Sequence, residues 1–234
     1  MITLVLLPGM DGTGTLFADF AAAAKSEFKP VVVAYPNDPK LGYAELEPIA
    51  RAALSVNEPY VILGESFSGP IAISIAASNP RGLVGLILCA TFARNPHPLL
   101  PLATALMRPF PAGRVPPFIL DRQLFGRFVS PRLRKQVRAL RSLVSKKTLK
   151  ARTEAVAQIA VSRQLREVRA PILCLRAKED RVVPRGACDY MMRIRPDAEL
   201  AELDAPHLLL QAVPGDALAA IKSFVDRRAG NSAR

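Results

Sequence analysis

Tyr60-Val-Ile-Leu-Gly64-Glu65-Ser66-Phe67-Ser68-Gly69-Pro-Ile-Ala-Ile-Ser-Ile-Ala76 is the stretch on which the architecture turns. Its first four residues form a short apolar run suited to a strand covered on both faces, and from Pro70 onward it reads as an apolar helix. The turn between them is built largely of small residues, which let strand and helix approach closely and hold Ser66 strained and exposed at the sheet edge. The helix that follows aims its first amides at the same spot, where negative charge would be favoured. Taken alone, Gly64–Gly69 can equally be a plain tight turn between a strand and a helix.

Outward from this stretch the same rhythm recurs. Apolar runs at Ile2–Leu7, Val31–Tyr35, Tyr60–Leu63, Leu83–Cys89, Ile172–Leu175 and Glu199–Leu203 read as strands. Helical patterns fall between them near 15–27, 43–55, 67–78, 185–193 and 214–228. Strand and helix in alternation predict a doubly wound α/β domain. The alternation stops between 94 and 168. Seven prolines from Pro96 to Pro117 exclude a long regular helix there and predict an irregular connection. Beyond it, Ser130-Pro131 is an N-cap followed by proline at the first helical position, leading into Leu133, Val137, Leu140 and Val144. Ser145 caps a second helix carrying Leu149, Val156 and Ile159. The expected division is therefore a core over 1–93, a helical lid (cap) insertion over 94–168, and the remainder of the core over 169–234.

Three further segments carry side chains or loops suited to chemistry. Leu6-Leu7-Pro8-Gly9-Met10-Asp11-Gly12-Thr13-Gly14 follows the first strand. It meets neither dinucleotide-binding nor P-loop spacing, so a nucleotide is not expected. The chain has two histidines. His97 lies in Asn-Pro-His-Pro, a poor place for a rigidly held base, and His207 follows the last strand in Asp204-Ala-Pro-His207. After the strand beginning at Pro171 stand two acids, Glu179 and Asp180, whereas Asp204 is too near His207 along the chain to be preferred.

In this order the motifs resemble the α/β-hydrolase family. The resemblance covers residue 1 to about 92 and about 169 to the C-terminus, and it implies roughly six strands, mainly parallel, flanked by helices with a helical lid. It assigns Ser66 as nucleophile and His207 as base, and it singles out Asp180, in a strand-turn-Asp-x-x-Val-Pro pattern, as the third triad member. The oxyanion-hole donors it implies are the backbone N–H groups of Met10 and Phe67. The chain departs from the pattern twice: Ser68 replaces the second glycine of Gly-x-Ser-x-Gly, and Pro8 stands where histidine is commoner. A serine nucleophile argues against the dehalogenase and epoxide-hydrolase branches, which use aspartate. Neither cofactor nor metal is called for.

Composition sets the remaining bounds. Half the residues are hydrophobic and 22% are charged, the balance of a folded chain. No apolar run is long enough to span a bilayer, and the N-terminal run breaks at Pro8, so it reads as a strand and not a secretion signal. Three cysteines in or near apolar runs suit a reducing, cytoplasmic setting. The net charge of +12 is concentrated: residues 121–170 hold 14 basic against 3 acidic side chains. The dense run Arg132, Arg134, Lys135, Arg138, Arg141, Lys146, Lys147, Lys150 and Arg152 is expected on a solvated outer lid face. It could also steer an acidic substrate or partner. Nucleic acid is disfavoured, because the run contains no aromatic residue for base stacking.

The expected activity is therefore a carboxylesterase acting on small-molecule esters of short to medium acyl chains. The alternatives are an acyltransferase or a thioesterase or carrier-protein-linked esterase with the same triad, and a non-catalytic ligand-binding protein.

Overall fold

The computed structural model describes residues 1–55, 57–97 and 117–231. Six parallel strands form one sheet in the order β2-β1-β3-β4-β5-β6, as the apolar runs predict. They are β1 (Thr3–Leu7), β2 (Lys29–Val32), β3 (Tyr60–Glu65), β4 (Leu83–Cys89), β5 (Ile172–Ala177) and β6 (Glu199–Leu203). Alternate residues of the central strands feed opposite cores, which is why the runs are apolar throughout. On one face Val5, Leu7, Ile62, Leu86, Leu88 and Ile172 pack against α2 (Tyr43–Arg51), α3 (Gly69–Ala77) and α8 (Arg185–Ile194). On the other, Leu4, Leu6, Val61, Leu63, Ile87 and Leu173 pack against α1 (Ala18–Ala24) and α9 (Pro214–Asn231). A sheet covered on both sides sends its crevice to the carboxyl ends of the strands.

The edge strand begins and ends earlier than the run Val31–Tyr35 suggests. Lys29 N–H and Val33 N–H donate inward to Ile2 O and Leu6 O, so Pro30 falls at the alternate, outward position. Beyond Val33 the chain leaves the sheet, and Tyr35 N–H donates instead to Gly12 O at 2.7 Å.

Between β4 and β5 the described chain contains α4 (Pro117–Phe125), α5 (Pro131–Leu143), α6 (Lys146–Gln158) and α7 (Ser162–Glu167). Most of the proline-rich connection expected from 96 to 117 lies outside the described residues. Ser130 Oγ accepts from Leu133 N–H and Ser145 Oγ from Thr148 N–H, so both expected caps form. Phe125 and Leu133 bury against Leu16 and Leu208, which fastens α4 and α5 to the core beside His207. Asn37 clasps the α5–α6 corner: its amide donates to Leu143 O, and its carbonyl oxygen accepts from Ser145 N–H and Thr148 Oγ. Leu149, one of the apolar residues of the helix that Ser145 caps, is exposed. Arg152, expected on the solvated face, is 1% exposed. From the Ser145 cap, Thr148, Arg152 and Val156 recur every fourth residue and so share the inward face of α6.

Candidate active site

The loop after β3 delivers Ser66 where the sequence places it. Ser66 adopts φ 49°, a left-handed conformation that costs a non-glycine residue energy and persists only where its surroundings impose it. Those surroundings are identifiable. A Cβ on Gly64 would lie 2.8 Å from the Ala72 Cβ and from Ser68 O, and one on Gly69 would lie 1.9 Å from Thr91 Oγ1. Thr91 Oγ–H in turn donates to Ser66 O. Ser68, standing where the family pattern has glycine, finds room by pointing away: its hydroxyl donates to Pro8 O and pairs with Tyr35 OH at 3.0 Å. The departure from the motif thus joins the serine turn to the loop after β1.

Two distant segments converge on this serine. His207 Nε2 lies 3.0 Å from Ser66 Oγ, and His207 Nδ1 lies 3.0 and 2.9 Å from the two oxygens of Asp180. His207 and Asp180 side chains are 6% and 7% exposed. Asp180 Oδ1 also accepts from Val182 N–H and Val183 N–H, each at 2.8 Å, which fixes the carboxylate. With the carboxylate accepting the Nδ1–H hydrogen bond, Nε2 carries no proton and is free to accept from the serine hydroxyl. A row of this kind can draw a proton off a hydroxyl. The other acids are engaged elsewhere: Glu179 and Asp204 both pair with Arg127. His97 is turned to Val182 O at 2.6 Å.

Met10 and Phe67 border the same cavity as Ser66, about 350 Å³ in volume and walled by Phe92, Val156, Val182 and Val183. Phe67 is buried and stacks on Tyr43 with ring centroids 4.7 Å apart. Directly behind the serine lies Glu65, 3% exposed. Its carboxyl accepts from Gln211 Nε2 at 3.0 Å and from Gly9 N–H. Burial pushes it up to about 7, against the opposing pull of the Gln211 hydrogen bond and the nearby His207. Glu65, Thr91, Tyr35 and Arg152 carry no motif in the sequence. Only the fourfold spacing on α6 marks Arg152. Among the described residues, no group of three or more His, Cys, Asp or Glu could hold a metal ion.

A parallel sheet with a strained serine turn at the carboxyl end of its third strand defines the α/β-hydrolase class. The chain belongs to the alpha/beta hydrolase family, whose sequence profile matches residues 4–221. It is 34% identical over 110 residues to phytyl ester synthase 1, chloroplastic, from Arabidopsis thaliana; the match covers 43% of this chain and 16% of that longer relative. Among solved structures it is similar to Est816, described as an N-acyl homoserine lactone degrading enzyme, at TM-score 0.79 and 18% identity, covering 96% of this chain and 93% of that one. A carboxylesterase from Nitrososphaera gargenis is similar at TM-score 0.76 and 17% identity, with 98% and 92% covered.

Proposed function

We propose that this protein is a serine hydrolase cleaving carboxylic esters of short to medium acyl chains. The observation that carries the reading is the unbroken row from Asp180 through His207 to Ser66 beside an apolar cavity. His207 Nε2 takes the Ser66 proton as Oγ forms its bond to the ester carbonyl carbon. The oxyanion is received by the N–H groups of Met10 and Phe67. The imidazolium, stabilised by Asp180, returns the proton to the departing alcohol as the carbon–oxygen bond breaks. Water, deprotonated by His207, then cleaves the acyl-enzyme. Helices α4 to α7 act as the lid, and a cavity of about 350 Å³ suits a modest acyl chain.

A panel of p-nitrophenyl esters from C2 to C12 tests this. Wild type should turn over the shorter members, Ser66→Ala should abolish turnover, and Asp180→Asn should lower kcat by about 10⁴. Equal rates in wild type and Ser66→Ala would remove the proposal.

A second reading, acyl transfer to an alcohol in place of water, draws support from the likeness to a phytyl ester synthase. It uses the same acyl-enzyme. With a long-chain alcohol present, ester product outrunning free acid would favour it.

A further inference from the structure

Among the described residues, the basic run of the insertion contains one arginine that is buried. Arg152, on α6, is 1% exposed and reaches into the loop after β1. Its Nη1 donates to Met10 O at 2.9 Å and Asp11 O at 2.7 Å, and its Nη2 donates to Pro36 O at 3.0 Å. The loop it grips is a tight turn, closed by Gly12 N–H donating to Gly9 O at 3.0 Å. Gly12 sits at φ +71°, and a Cβ there would lie 2.4 Å from Arg152 Nη1, so the turn is shaped around the guanidinium. The Arg152 Cζ also lies 5.9 Å from the centre of the Phe67 ring. One side chain therefore holds the carbonyl of Met10 and lies near the ring of Phe67, the two residues assigned as oxyanion donors in the proposed mechanism.

We infer that Arg152 is a positioning residue for the oxyanion hole, holding the Gly9–Gly12 turn so that Met10 N–H stays aimed beside Ser66. This rests on the serine-hydrolase reading. A backbone donor works only if its peptide plane is already oriented when charge develops, and a four-residue turn with two glycines does not fix that plane by itself. Three carbonyls from two loops converge on one group. A planar fork with several N–H donors can satisfy them together, whereas an ammonium on a lysine stem reaches fewer with poorer alignment. The insertion helix thereby becomes part of the apparatus that stabilises the transition state, in addition to covering the cavity.

The test compares wild type, Arg152→Met, Arg152→Lys and the exposed control Lys147→Ala. A fluorophosphonate first counts reactive serines by intact mass, so that kcat on a p-nitrophenyl ester is expressed per labelled site and is insensitive to misfolded protein. Arg152→Met should lose about 30- to 300-fold in kcat per site, with KM changed less than about threefold. Arg152→Lys should recover less than a tenth of the loss, soluble guanidinium should restore part of the activity of Arg152→Met, and Lys147→Ala should match wild type. If Arg152→Met proves insoluble, Arg152→Lys carries the comparison: at least a tenfold fall per site supports the role. Wild-type kcat per site in Arg152→Lys together with Arg152→Met, or in Arg152→Lys alone where Arg152→Met is insoluble, would reduce Arg152 to a structural staple. An unlabelled wild type would instead overturn the hydrolase reading, and this inference with it.

Discussion

Glu65 occupies the position immediately before Ser66 and is almost wholly buried. Burial raises its pKa from 4.5 to about 7, so the folded chain keeps the proton over a range in which the unfolded chain has released it. The sign follows directly: its contribution to stability is fully present below about 4.5 and is lost as pH climbs toward 7, by about 3 kcal/mol in all. Glu65→Gln removes that dependence. Its amide can accept from Gly9 N–H and donate to Gln211 Oε1, an atom without a partner in the wild-type protein, once the Gln211 amide turns over. Thermal denaturation should show Glu65→Gln level with wild type near pH 4.5 and more stable at pH 8. A second residue-scale expectation concerns the serine turn. Gly69→Ala drives a methyl into Thr91 and should cost about 2–3 kcal/mol, roughly 5–10 °C in Tm. Ser68→Gly, which restores the commoner glycine, loses only the bridge to Pro8 and Tyr35, about 1 kcal/mol.

At the scale of elements, the sheet was readable because apolar runs of four to seven residues have few other uses in a chain of this composition. The displacement of β2 was not readable, because the pull of Gly12 O on Tyr35 N–H is a contact between loops 23 residues apart. Helices α5 and α6 announced themselves through their serine caps, and Ser145→Ala should destabilise the protein by about 1 kcal/mol in a denaturant titration. Of the site residues, Ser66, His207 and Asp180 stood in recognisable segments. Glu65 and Thr91 act through burial and close approach, which no local pattern encodes. Arg152 was obscured by its company: among many arginines and lysines, this inward-facing one differs from its neighbours only in helical phase.

For the whole molecule, the charge asymmetry persists in three dimensions. Lys135, Arg138, Lys146, Lys147 and Lys150 are all exposed on α5 and α6. Between about 0.02 and about 0.5 M salt, KM for a carboxylate-bearing ester should rise several-fold while KM for a neutral ester of equal length stays level. No helix among the described residues is long and apolar enough to cross a membrane. The edge formed by β2 has a consequence for self-association. Lys29 and Val33 spend their amides inward, and Pro30, at an outward position, has no hydrogen to offer. A neighbouring copy seeking to extend the sheet there meets a gap where a ladder needs a donor, so the β2 rim should resist strand-by-strand stacking.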